Sequence, residues 1–405
     1  MSNRSVLLRS VGCCLSTAFL VAVGTIGTPI TVSAQDFSDL QTPNGSLVLK
    51  AQGSFVIGGQ VIEAEAGDLG HGAAPGHTTV NQMYVEYMVP QGKKRIPVVM
   101  IHGGGLSGKS YETTPDGRMG WDEYFVRQGY PVYNVDQVSR ARSGFNPTVI
   151  NRVWDGRLPP SELFNITRTS DENAWVNFRF GPEPGVPFPD TQFPVDHADD
   201  FSKQGIPTLN DSLTPSTTAS ASSPDSYEVL SELATDLGGA VLMGHSQSSD
   251  FPLRAYLNDP SGIKGAIFLE TGVPSRCLQF TDEEIEQLAN IPIMFMYGDH
   301  LDDASNQVKA SFDNCNALIA QINAAGGNAT MIWPPDLGIF GNTHMMMLDK
   351  NNLQLADLII DWIEENVEVA PGPPPGKGPP PGKGPPPGKG PPPGKGPPPG
   401  NGPNS

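Results

Sequence analysis

Residues 239–250, Gly-Ala-Val-Leu-Met-Gly-His-Ser-Gln-Ser-Ser-Asp, constrain this chain more than any other stretch. Ala240 to Met243 is a short apolar run of the kind that forms a buried strand. Gly244-His245-Ser246-Gln247-Ser248 follows as a sharp turn, and a helix-like segment around Phe251 to Leu257 comes next. A serine raised on so tight a turn needs small residues two before it and two after it, because the backbone passes close to itself there. The second small residue here is Ser248 rather than glycine, which departs from the usual Gly-x-Ser-x-Gly pattern but keeps its steric logic. Taken singly, a serine between a strand and a helix reads equally well as a helix N-cap. The surroundings must decide.

The surroundings alternate strands with helices. Ser46 to Glu65 and Thr78 to Val89 read as antiparallel entry strands. Pro97 to Ile101 is a continuous apolar run suited to a strand covered on both faces. Asp122 to Gln128 reads as a short helix, Pro131 to Asp136 as the next strand, and Tyr227 to Leu237 as a helix before the serine strand. Beyond it come strands at Gly265 to Leu269, Ile291 to Tyr297 and Thr330 to Trp333. Helices follow at Gln307 to Ala325 and Asn352 to Asn366. Such alternation implies an α/β domain with a mostly parallel sheet. Residues 145–224 break the pattern, with many Pro, Asn, Asp and Ser residues and scattered aromatics, and are too long for a simple loop. They are expected to form a cap inserted over a site.

Ligands of such sheets bind at the carboxyl ends of the strands. Four reactive-looking stretches fall there: His102 to Gly105, Ser246, Glu270 and Asp299. A fifth, His344, lies between the last strand and the last helix. The order serine, acid, histidine suits nucleophilic hydrolysis. A serine hydroxyl is a weak nucleophile, so His344 would take its proton and return it to the leaving group. A carboxylate would hold the imidazole tautomer, and two backbone N–H groups, of Gln247 and Gly104, would cradle the oxyanion. For the acid, Glu270, Asp299 and more distantly Asp302 are open. Glu270 ends an apolar strand, where a charge is costly without a partner. No metal or cofactor is called for, and the expected partner is a small-molecule ester.

The two ends of the chain differ from its middle. Arg4 and Arg9, the apolar stretch Val11 to Val23 and the cleavage-type Val32-Ser33-Ala34 read as an export signal over 1–34, giving a secreted protein, extracellular or periplasmic. Residues 371–405 repeat Pro-Pro-Pro-Gly-Lys-Gly and are expected to be disordered. Between them, 35–370 holds 19 basic against 43 acidic residues, a net of −24, which argues against nucleic acid as a partner. The basic tail reads as a solvated spacer or as a contact for a cell surface or other polyanion. Without the signal, Cys277 and Cys315 are the remaining cysteines, and export makes one disulfide between them the expectation. Asn44, Asn165, Asn210 and Asn328 head glycosylation sequons.

Two rival readings are visible. Gly103 to Ser110 fits the phosphate-binding pattern G-x-x-x-x-G-K-[ST], but that loop runs straight into a helix, whereas Tyr111 to Gly117 reads as loop. The other rival is a non-catalytic surface or cell-wall binding protein acting through the Lys/Pro-rich tail.

His102-Gly103-Gly104-Gly105, Glu112 to Arg118 with Gly120-Trp121, Val135-Asp136-Gln137 with Arg140, Gly244 to Ser248, Gly298-Asp299-His300 and Gly341 to Met347 together resemble one family. It is the group of secreted bacterial esterases within the α/β-hydrolases known for cleaving esters of halogenated cyclic compounds. The resemblance covers about residues 80–365. It implies an α/β-hydrolase fold and a serine esterase working through an acyl-enzyme. It also implies that the acid is the glutamate after the strand preceding Asp299, which is Glu270.

Overall fold

Two long strands, β1 (Leu49–Ala64) and β2 (Gly76–Pro90), pair antiparallel at one edge of an eight-stranded sheet. The computed structural model describes residues 45–92, 95–209, 226–303 and 307–367. The expected export segment 1–34, residues 210–224 of the expected cap and the tail 371–405 lie outside the described residues, as do Asn44, Asn210 and Cys13 and Cys14.

β2 pairs antiparallel with β4 (Val132–Asp136), and from there every neighbour is parallel. β3 (Val98–Ile101), β7 (Ala240–His245), β8 (Ile263–Leu269), β9 (Pro292–Met296) and β10 (Asn328–Ile332) complete the order β1-β2-β4-β3-β7-β8-β9-β10. β3 and β7 are buried at every residue, which explains their unbroken apolar sequence. The pleat sends alternate residues to opposite faces. Ile101, Leu242, Phe268 and Phe295 share one core with helices α5 (Ser226–Asp236), α6 (Phe251–Asn258), α7 (Asp282–Leu288) and α8 (Val308–Ala324). Met100, Met243, Leu269 and Met296 face the other side, under α1 (Trp121–Arg127) and α9 (Asn352–Asn366). Each of these side chains contributes about 1.5–3 kcal/mol by leaving water.

The sequence pattern anticipates the sheet and five of these helices, but not α7. That helix carries its own start signal: Thr281 Oγ1 accepts from Glu284 N and Glu284 Oε2 accepts from Thr281 N, a reciprocal capping box.

The stretch after β4 is built from short pieces: α2 (Thr148–Trp154), α3 (Asp171–Asn177), α4 (Ala198–Ser202) and a two-stranded ribbon of β5 (Ile166–Thr167) with β6 (Thr208–Leu209). Its buried Phe180, Phe193 and Phe201 pack on one another, with Phe178 against Phe180 and Phe201. This aromatic cluster joins the same core as α1 and α9. Parallel pairing puts the ends of β3, β4, β7, β8 and β9 on one edge of the sheet, beneath this stretch.

Candidate active site

β7 delivers Ser246 into a left-handed backbone conformation, φ 57°. Such a conformation costs an ordinary residue about 1–3 kcal/mol and persists where its surroundings enforce it. Gly244 shows how closely the turn closes: a Cβ there would lie 2.0 Å from the carbonyl oxygen of Ser248. Ser248 fills the place of the second glycine because its hydroxyl has somewhere to go. It donates to the Ile101 carbonyl at the end of β3 (2.9 Å) and accepts from His245 N (3.1 Å).

Ser246 Oγ lies 2.9 Å from His344 Nε2, and His344 Nδ1 lies 2.7 Å from Glu270 Oε1. Ser246 N donates to the Glu270 carbonyl (2.9 Å), so the serine turn and the glutamate are joined through backbone as well. Of the three acids left open by the sequence, Glu270 alone meets the histidine. Asp299 accepts from its neighbour His300 N (2.7 Å) and from Gly341 N (2.9 Å), and so steadies the loop that carries His344. Asp302 is exposed.

Glu270 is fully buried and also sits at positive φ, 27°. Burial pushes its carboxyl up, but the guanidinium of Arg179 and the ring of His344 more than offset this and hold it well below the usual carboxylate range. Arg179 Nη2 donates to Oε2 (2.6 Å), Nη1 lies 2.6 Å from Oε1, and Gly298 N donates to Oε2 (2.8 Å). Arg179 Nε donates to the Asp299 carbonyl (2.7 Å). The sequence reading did not single out Arg179. Its signal is an arginine between two aromatics, Phe178 and Phe180, in a stretch where the aromatics have a core to reach.

His344 is clamped on its remaining sides. Its N–H donates to the Phe178 carbonyl (3.0 Å), the Phe178 ring stacks on it at 5.0 Å, and its carbonyl accepts from His245 Nε2 (2.8 Å). His245 is wholly buried, and desolvation pushes its ring down to about 3, so it stays neutral. Arg118 secures the chain just beyond His344, donating to the carbonyls of Leu348 and Asp349 (2.8 Å each). That contact explains why the run 112–121, far away in sequence, belongs with the site.

Gly104 and Gln247 both line the cavity in front of Ser246. A Cβ on Gly104 would meet the Gln247 side chain at 2.9 Å, so the glycine lets the two segments approach. Gly105 N is taken by Thr208 Oγ1 (2.6 Å). Arg140 Nη1 holds the Gln247 amide oxygen (2.8 Å). The cavity, about 380 Å³, is lined also by Phe178, Arg168, Thr271, Val273, Arg276 and Val308. One wall is fastened by the disulfide Cys277–Cys315, which joins the turn Pro274–Leu278 to α8.

The phosphate-loop pattern at 103–110 does not lead into an α-helix. It ends in a single turn, Gly108–Tyr111, and Gly108 N donates to Asp136 Oδ1 (2.7 Å). Asp190, Asp299 and His300 are the described residues whose grouping resembles a metal site. His300 Nε2 meets Asp190 (2.9 Å) and its Nδ1 meets Asp303 (3.1 Å), while Asp299 accepts from the backbone N–H groups of His300 and Gly341.

The chain is similar to a novel bacterial esterase of known structure, at 41% identity over 80% of this chain and 99% of that one, with a TM-score of 0.74. It is also similar to the probable secreted lipase phiG of Fungal sp. (strain ATCC 74256), 28% identical over 331 residues, covering 70% of this chain and 86% of the lipase. No protein-family model matches.

Proposed function

Because the chain belongs to the α/β-hydrolase esterases and is a carboxylic ester hydrolase, we propose that it works through Ser246, His344 and Glu270 by way of an acyl-enzyme. The observation that carries this reading is the unbroken path from Ser246 Oγ through both ring nitrogens of His344 to Glu270, at 2.9 and 2.7 Å.

Glu270, ionised and fixed by Arg179, holds the proton on His344 Nδ1 and leaves Nε2 free to act as base. As Ser246 Oγ attacks the ester carbon, Nε2 takes the hydroxyl proton. The carbonyl oxygen gains the charge, and the N–H groups of Gln247 and Gly104 receive it. Loss of one such donor costs about 10²–10³ in rate. Collapse breaks the bond to the alcohol oxygen, which leaves with the proton from Nε2, and the acyl group stays on Ser246. Water then gives a proton to Nε2 and attacks the acyl carbon. The acid departs, the proton returns to Oγ, and the enzyme is restored.

The described part of the 145–224 stretch lies over this centre, and we propose that it caps the site and shapes the substrate pocket. The export signal read at 1–34 and the secreted lipase relative support a secreted enzyme. Esters of halogenated cyclic compounds are proposed substrates on the resemblance alone.

Hydrolysis of p-nitrophenyl butyrate by wild type and by Ser246→Ala tests the reading, beside labelling with a fluorophosphonate. Turnover and labelling that both vanish in Ser246→Ala support it. Labelling that persists in Ser246→Ala, or a wild type that neither turns over nor labels, overturns it.

A further inference from the structure

The cavity in front of Ser246 has a charge character opposite to that of the protein. Among the described residues its lining contains Arg168 and Arg276 and no carboxylate, in a chain whose formal net charge is −18. The two arginines are not equivalent. Arg276 pairs with Asp250 through Nη1, so its charge is largely matched. Arg168 is exposed to the cavity and makes one hydrogen bond among the described residues, a long one from Nη2 to the Ser202 carbonyl (3.4 Å), and no ion pair. Asp171 shares a smaller adjoining recess with it, without an ion pair between them.

Arg168 is also held in place. It follows β5, whose Ile166 and Thr167 pair with Leu209 and Thr208 of β6. β6 is fastened in turn to the site, because Thr208 Oγ1 accepts from Gly105 N (2.6 Å) and Arg140 Nη2 donates to the Leu209 carbonyl (2.8 Å). The backbone of Arg168 therefore continues a ribbon tied to the glycine loop beside Ser246. Its neighbours on the wall, Thr167, Thr169 and Asn177, are polar and uncharged.

An unmatched guanidinium is a fork of donors shaped for a carboxylate. An anionic substrate approaching so acidic a surface is repelled in general and attracted at this mouth, which aids selection as well as binding. Resting on the esterase reading of this same cavity, we propose that its preferred substrates are esters that carry a second, ionised carboxylate, and that Arg168 receives it. Arg168 is a specificity-determining residue and takes no part in bond breaking.

The test compares near-isosteric pairs by proton release at constant pH. Monoethyl glutarate against ethyl pentanoate places the charge on the acyl side. The butyrate ester of 3-hydroxypropanoate against butyl butyrate places it on the alcohol side. Wild type is expected to favour the charged member of at least one pair in kcat/KM. Arg168→Gln is expected to lower that charged-to-neutral ratio by about 10- to 100-fold, the usual worth of a charge-assisted hydrogen bond. Arg168→Lys should restore part of it, and high salt should erode it. A ratio that Arg168→Gln moves by less than about twofold in both pairs overturns the inference, while turnover of the neutral esters leaves the esterase reading standing. Failure on all four esters overturns the inference, and the esterase reading is then judged separately by p-nitrophenyl butyrate and the fluorophosphonate label.

Discussion

Two buried carboxylates stand at the same edge of the sheet, each beside a histidine and an arginine, and only one of the two histidines faces a serine. Glu270 at the end of β8 meets His344 and Arg179. Asp136 at the end of β4 meets Arg142 and lies 3.9 Å from His102. The difference is in how the imidazoles are wired. His102 donates from Nδ1 to the Gly103 carbonyl (2.7 Å) and accepts at Nε2 from Gln137 N (3.2 Å), so both nitrogens are spent on backbone. His344 spends one nitrogen on Glu270 and turns the other to a serine. Both sites hold a buried carboxylate beside a buried imidazole. What distinguishes a base from a structural histidine is one nitrogen left facing a reactive group.

The largest expected effect separates the two carboxylates. Glu270→Gln should lower kcat by about 10⁴-fold, because the amide cannot hold the tautomer or balance the imidazolium. Asp136→Asn should cost about tenfold, acting through the Gly108 turn and the Arg142 contact, away from the reacting atoms. Kinetics on p-nitrophenyl butyrate, with circular dichroism to show intact folds, checks this. Equal losses would erase the distinction between the pairs.

The arginines come next. The side chain of Arg179 is 1% exposed and that of Arg142 36%. Arg179→Gln leaves a buried carboxylate short of its partner and should cost about 3–5 kcal/mol. Arg142→Gln should cost less, about 1–2 kcal/mol, because Arg142 is over a third exposed and Asp136 keeps the backbone N–H groups of Gly108 and residue 142. Urea unfolding measures both. The pH dependence follows from the sign of the shift. Glu270 folds with its carboxyl below its ordinary value of 4.5, so its contribution is full above that value and is lost progressively as pH falls from there through the lowered folded value. In Arg179→Gln the carboxyl loses its main downward influence, so that loss should be smaller and complete at higher pH.

The two regions also differ in how far the sequence reveals them. The strands, the serine turn and the places of Ser246 and His344 are legible because a twofold or 3.6-fold apolar rhythm and a sharp turn are local properties, whereas the choice of Glu270 among three open acids comes only with the family resemblance. Arg179 is not legible, since its role depends on a chain segment 91 residues from Glu270 in sequence. Nor is the fate of Asp299, because a carboxylate at a strand end looks the same whether it faces a histidine or the N–H of Gly341. The stretch after β4 defeats periodicity altogether, being made of pieces of two to seven residues.

Acid should sharpen the contrast between the histidines more gently. Desolvation pushes His102 down to about 4 from an ordinary 6.5. The folded ring therefore refuses a proton that the unfolded one accepts, and stability declines as pH falls from about 6.5 toward about 4. His245, at about 3, acts in the same direction. His102→Gln should be less stable than wild type at neutral pH yet lose less on going to pH about 5. Thermal melts across that range decide it, and parallel slopes for the two proteins would show that His102 does not carry the dependence.

The smallest effect concerns the residue that joins the two regions. Ser248 Oγ bonds the Ile101 carbonyl, immediately before His102, while its own backbone closes the turn behind Ser246. Ser248→Gly would restore the common Gly-x-Ser-x-Gly pattern and yet should destabilise the protein by about 1–2 kcal/mol, since the Ile101 carbonyl and His245 N lose a buried partner and glycine adds backbone entropy. Ser248→Ala should lose about 1 kcal/mol, the hydrogen-bond share alone. Both should keep kcat within a few-fold, because the hydroxyl points to β3 and not into the cavity. A glycine variant as stable as wild type would mean that the hydroxyl tie contributes nothing, and that the β3–β7 ladder and packing hold the serine turn to the β3 edge.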